Sequence, residues 1–194
     1  MGTCATPHMA NIYLHVYEHE YFTYLYENNL KDKLAKLQNI FRYQDDLLVL
    51  NDDGLFEEII SDIYPPEMVV SKTNISVRKT HFLDLTISIY RGKFYIILYD
   101  KRNDYSFEVI NYPFLDGNIP KNQSYGVFIS QLVRFARINS SFQRFIADCR
   151  NLICKLIRQS FNPAALRRKF NIFIDKYFDI WGKFGEYLTT DLVF

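Results

Sequence analysis

An α+β fold is predicted for this chain of 194 residues, and three patterns predict it. Apolar residues recur at helical spacing from Ala10 to Leu25. Around residues 41–50 and 81–99 they flank or alternate about short polar turns, and after residue 121 helical spacing returns. With 48% hydrophobic and 17% aromatic residues, the chain holds enough apolar surface for a packed core.

Thr6 followed by Pro7 reads as an N-cap and first helical position. Ala10, Leu14, Tyr17, Tyr21, Tyr24 and Leu25 then mark a long helix ending at Asn28-Asn29. Before it, Met1-Gly2-Thr3 forms a small lead-in in which Gly2 permits backbone geometry or close approach denied to other residues. Phe41 to Leu50 is apolar on both sides of Gln44-Asp45-Asp46, which predicts a hairpin with the polar triplet at its tip. Asp53 is expected to cap a short helix carrying Leu55, Phe56, Ile59, Ile60 and Ile63, which Pro65-Pro66 ends.

Met68 to Lys72 is read as a strand, and His81 to Tyr90, with Leu83, Leu85, Ile87 and Ile89 alternating, as a stronger one. Arg91-Gly92-Lys93 turns the chain into Phe94 to Tyr99, giving a second hairpin. Residues 100–123, rich in Asn, Asp, Pro and Gly, are expected to connect two subdomains, 1–120 and 121–194. Three helices follow. Leu132, Val133 and Ala136 mark the first; Phe142, Phe145, Ile146, Cys149, Leu152, Ile153 and Leu156 mark the second, capped by Ser140 or Ser141. The third opens at Asn162-Pro163 and carries Leu166, Phe170, Phe173, Tyr177 and Trp181, completing a small bundle.

The net charge of +1 conceals an asymmetry. Residues 1–120 hold 11 Lys/Arg against 17 Asp/Glu, whereas residues 121–194 hold 12 against 5. Cations are therefore the natural partners of the first part and phosphates of the second. The three cysteines lack zinc-site spacing and fit a reducing compartment without disulfides. No apolar run approaches the ~20 residues of a membrane span, and no signal-peptide pattern opens the chain, so an intracellular protein with no membrane partner is expected.

Asp45 and Asp46 pose the main chemical question. Burying an unpaired carboxylate costs several kcal/mol, and two side by side also repel, so a core strand should not carry them. A turn, a basic partner or a divalent cation must compensate. Asp52-Asp53-Gly54 serves as an internal control, because there an apolar strand ends and a helix begins, and turn and cap chemistry account for the acids. Asp45-Asp46 instead interrupts an apolar run that resumes at once with Leu47-Leu48-Val49-Leu50.

With these flanks, Tyr43-Gln44-Asp45-Asp46 resembles motif C of reverse transcriptases, a tyrosine, any residue and two aspartates at a hairpin tip. MGTCATPHMANIYLHVYE is similar to the motif B region, a Gly-containing loop entering a long helix. HFLDLTISI followed by FYIILYDKR resembles segments after the palm in Penelope-like retroelement reverse transcriptases. The likeness, in this order and spacing, runs over most of the chain.

The resemblance implies a partial polymerase palm of long helix and β-hairpins, followed by a helical thumb-like bundle. It implies RNA-directed DNA synthesis by two-metal nucleotidyl transfer, with Asp45 and Asp46 as catalytic ligands of Mg²⁺ or Mn²⁺. Gly2, Tyr43 and Lys72 would face template and nucleotide, Lys72 standing roughly where motif D lysines protonate departing pyrophosphate. Arg134, Arg137, Arg167, Arg168 and Lys169 would follow the product duplex. The implied partners are an RNA template, a DNA primer duplex and deoxynucleoside triphosphates, and the implied location is the nucleus. Physics is compatible: in-line phosphoryl transfer uses ions to favour the attacking oxygen and neutralise the leaving pyrophosphate.

The chain also departs from the family. Reverse transcriptases draw another metal-binding aspartate from motif A, upstream of motif B, and here motif B begins at residue 1. Neither Asp84 nor Asp100 is expected to substitute, so this chain alone is expected to be catalytically incomplete. Cys4, Ala5 and Thr6 stand where related elements often have other small or polar residues. The alternative is a non-catalytic nucleic-acid-binding remnant that uses the basic C-terminal helices. Asp84 itself reads as a solvated or hydrogen-bonded strand acid. His15 and His19 read as a helix-surface pair, since no Glu stands between them as metalloproteases require.

Overall fold

A computed structural model describes residues 5–107 and 109–194 as a mixture of helix and sheet, an α+β chain. It divides into two compact units, Met1–Thr73 and Asn74–Phe194.

In the first unit, α1 (Thr6–Glu27) and α2 (Lys31–Leu37) precede a hairpin of β1 (Ile40–Tyr43) and β2 (Asp46–Val49), and α3 (Leu55–Ile63) follows. Thr6 is itself the first helical residue, one position later in the helix than its expected capping role. The strands pair Tyr43 with Asp46, Arg42 with Leu47 and Ile40 with Val49. Alternation across the strands then turns Ile40, Leu47 and Val49 toward a core of Leu14, Leu25, Leu37, Phe56, Ile59, Ile63 and Tyr64. α1 buries Leu14 and Leu25, yet leaves Met9, Ile12, Tyr13, Val16, Tyr24 and Tyr26 exposed.

Two local expectations are corrected here. The start of α3 is served mainly by Asp52, whose Oδ1 accepts from the amides of Gly54 and Phe56, both at 3.2 Å. Asp53, which also meets the Leu55 amide, is drawn to Lys36 at 2.5 Å. Gly54, at φ +97°, makes the bend into the helix. The strand expected over Met68–Lys72 does not form. The Met68 amide closes a turn onto the Pro65 carbonyl, and Val69 beyond it is 90% exposed. β propensity is realised only against a neighbouring strand, and the segment has none among the described residues.

The second unit begins with the antiparallel sheet β3 (Lys79–Phe82), β4 (Leu85–Tyr90) and β5 (Lys93–Leu98), in that order. The single strand expected from His81 to Tyr90 is thus two strands about a Leu83-Asp84 turn, with Phe82 opposite Leu85. Alternation cannot separate one strand from two when the turn lacks glycine; Leu83 enters the left-handed region at φ +54°. The Arg91-Gly92 turn follows the usual chemistry, with both residues at positive φ.

α4 (Lys121–Ile138), α5 (Phe142–Arg158), α6 (Pro163–Lys176) and the short α7 (Phe178–Trp181) form the bundle. Their core holds Phe128, Phe145, Phe170, Phe173, Leu132, Leu156 and Leu166, all fully buried. Asn162 caps α6 as expected, its side chain accepting from the Ala165 amide at 3.1 Å. Ser141 precedes α5 without a side-chain capping bond, and the Ser140 hydroxyl bonds the backbone of Ile96 on β5 instead. That bond, an ion pair from Asp84 to Arg134 and the packing of Leu98 on the helical core attach the sheet to the bundle. The division expected near residue 120 therefore falls inside the second unit.

Candidate metal centre

The two acids stand where a β-turn interrupts the hairpin. Gln44 and Asp45 form the two-residue loop, Gln44 in the left-handed region at φ +54°, and Asp46 is the first residue of β2. Both aspartates are exposed, and neither makes an ion pair among the described residues. Exposure removes most of the desolvation cost that a core strand would impose. Tyr43, 55% exposed, shares the outer face with its cross-strand partner Asp46.

Beneath the turn lies a polar network that sequence reasoning missed. Arg42, on the inner face of β1, is bidentate to Glu18 of α1: Nε donates to Oε1 at 2.6 Å and Nη2 to Oε2 at 3.2 Å. Nη1 donates to Asn11 Oδ1 at 2.8 Å and reaches the Gln44 carbonyl at 3.4 Å. The Tyr64 hydroxyl, just past α3, donates to Glu18 Oε1 at 2.8 Å. Burial and its bond to Glu18 push the Tyr64 phenol well above the usual tyrosine range. The one available signal was an arginine at an inward strand position, since a half-buried charge needs a partner.

As ligands, the aspartates fit part of what Mg²⁺ or Mn²⁺ requires. They are hard oxygen donors, adjacent and open to solvent. No group of three or more His, Cys, Asp or Glu side chains gathers for a metal ion among the described residues. The pair therefore supplies two carboxylates, and the rest of a shell must come from water, substrate phosphates or another carboxylate. His15 and His19 lie with rings 5.8 Å apart on α1 and gather no third ligand among the described residues.

The other sequence-marked residues are dispersed. Gly2 lies outside the described residues. Lys72 is exposed and hydrogen-bonded to Glu57, which holds its ammonium above the ordinary lysine range. Among the basic residues of the second unit, Arg134 is committed to Asp84 through Nε at 3.0 Å and Nη2 at 2.6 Å. Asp84 is accordingly a turn acid in an ion pair, not a strand acid. Arg167 is bound to Asp191. Arg137 lines an open groove along α4 with Ile129, Val133 and Tyr177. Arg168 and Lys169 make no ion pair among the described residues. Two of the five named cations are thus held by carboxylates of their own unit.

No helix among the described residues is long and apolar enough to cross a membrane. Comparison with protein-family models, curated proteins and solved structures finds no match to this chain.

Proposed function

We propose that the chain carries part of the palm and the thumb of a reverse transcriptase of the Penelope-like type, with Asp45 and Asp46 as ligands for the ions of nucleotidyl transfer. The observation that supports this reading is the presentation of the two carboxylates: adjacent, exposed, at a hairpin turn beside a long helix, and in no ion pair with Lys or Arg among the described residues.

In the proposed reaction, a 3′ hydroxyl attacks the α-phosphorus of a deoxynucleoside triphosphate and pyrophosphate leaves in line. Divalent ions, when bound, supply charge neutralisation for the attacking and leaving oxygens. The chain's own contribution is to hold Asp45 and Asp46 in a fixed position, with Tyr43 on the same face as Asp46. Lys72 is less suited to the family role given to it, because its ammonium already serves Glu57. Arg137, Arg168 and Lys169 remain the better candidates for phosphate contact, and Arg134 and Arg167 would first have to exchange a carboxylate for a phosphate.

The second reading, a nucleic-acid-binding remnant without catalysis, draws support from the charge of the second unit. Residues 74–194 hold 18 Lys/Arg against 10 Asp/Glu, while residues 1–73 hold 5 against 12. A primer-extension assay with an RNA template and Mg²⁺ separates the readings. It is run on the chain alone and joined to any coding sequence preceding it in its gene. Extension that Asp45→Ala abolishes supports the polymerase. Duplex binding that weakens with salt, without extension, supports the remnant.

A further inference from the structure

Arg42 uses its whole guanidinium. Its five N–H groups reach five acceptors: both carboxylate oxygens of Glu18, the side-chain and backbone oxygens of Asn11, and the carbonyl of Gln44. The last is the peptide that leads directly into Asp45, at the one turn residue with left-handed backbone. Both partners of the ion pair are largely screened from water, with 16% of the Arg42 side chain and 18% of the Glu18 side chain exposed. A bidentate fork fixes direction as well as distance, which a lone ammonium cannot do.

Register adds a second consequence. Arg42 stands opposite Leu47 on the inner face, and Tyr43 opposite Asp46 on the outer one. While Glu18 holds it, the guanidinium stays on the face away from Asp46. Without Glu18, the cation loses the carboxylate that holds it there, and an acid pair clamped by a freed arginine would make a poor cation site.

We infer that Glu18 and Arg42 are positioning residues for the acidic turn: they lock the Gln44–Asp45 peptide against α1 and keep the Arg42 charge off Asp45 and Asp46. Its functional meaning rests on reading Asp45 and Asp46 as metal ligands, but the lock itself is a geometric statement. Asn11 and Tyr64 complete it, each holding one partner of the pair.

The test uses the full chain, with Cys4 and Cys154 replaced by Ser and spin labels at Tyr26→Cys on α1 and Tyr43→Cys at the turn, both exposed. Pulsed dipolar spectroscopy is recorded where circular dichroism shows every variant folded, so a loss of stability alone does not alter the result. One narrow distance is expected for the parent and for Asp45→Ala. Glu18→Gln and Arg42→Lys should lose it, because neither keeps the bidentate pair that directs the guanidinium onto the Gln44 carbonyl. Retention of the narrow distance in both single variants overturns the lock. In parallel, Mn²⁺ alone is titrated by electron paramagnetic resonance. Glu18→Gln should weaken binding about tenfold, the scale of lost outer-shell support. If Asp45→Ala leaves Mn²⁺ binding unchanged, the metal reading fails, while the distance measurement still decides the lock.

Discussion

The two units solve the problem of stability differently. Residues 74–194 enclose a core of stacked and tilted phenylalanines, with Phe145 in ring contact with Phe142, Phe173 and Phe184. Residues 1–73 bury a smaller core of Leu and Ile with Phe56 and Tyr64, and leave Met9, Ile12, Tyr13 and Val16 of α1 exposed, as well as Phe41 and Tyr43 of the hairpin. A helix that is apolar on several faces is usually covered. The unit that presents the acids is therefore the one with the less complete core, and it relies on a polar lock where the other relies on packing. Stability and the candidate chemistry are housed apart.

Removing an aromatic from the second core should give the largest effect. Phe145→Ala is expected to cost about 3–5 kcal/mol, read as a shift in denaturant midpoint. If the units unfold independently, fluorescence probes in residues 1–73 will not follow that shift; a common shift would break the comparison.

Tyr64→Phe tests the polar lock with a milder change. It deletes one hydrogen bond to a charged, half-buried Glu18, worth about 1.5–3 kcal/mol. The loss should appear in the first unit only. In the second unit, Asn162→Ala removes the cap from α6 and should cost about 1 kcal/mol by thermal denaturation.

The smallest expected effect is a pH slope. Burial raises the Asp148 carboxyl above the ordinary aspartate value, against the opposing bond from Asn139 and the charge of Arg144. An acid raised in the folded state binds its proton more tightly there, so its contribution favours folding at low pH. That contribution is lost as pH climbs from the ordinary aspartate value through the raised native one. Asp148→Asn should flatten this part of the stability profile, measured by urea unfolding across pH 3 to 7. A profile unchanged by the substitution would show that Asn139 and Arg144 fully compensate the burial.

Much of the local structure was legible because it depends on short-range rules. The helix after Pro7, the turn at Arg91-Gly92, the stop at Pro65-Pro66 and the Asn162 cap all follow from backbone geometry or capping chemistry that neighbouring residues dictate. So did the hairpin at 41–50, because apolar runs on both sides of a polar triplet leave few other arrangements. Leu83-Asp84 was hidden because its turn is fixed from outside: Asp84 is held by Arg134, fifty residues away, and Leu83 accepts an unfavourable backbone. The larger part of Asp52 at the start of α3 was hidden for a similar reason, since Lys36, seventeen residues before Asp53, draws on that acid.

The sequence by itself determined that two acids would stand at a bent apolar ribbon, because strand periodicity and the cost of burying charge both demand it. Only the tertiary structure decided which side chains hold that ribbon in place. Glu18, Arg42 and Tyr64 come from three separate elements, and nothing in their spacing along the chain could bring them together. Folding does so because a half-buried guanidinium must find oxygen acceptors, which Asn11 and Glu18 of α1 offer, and the Tyr64 hydroxyl just past α3 donates to the same Glu18.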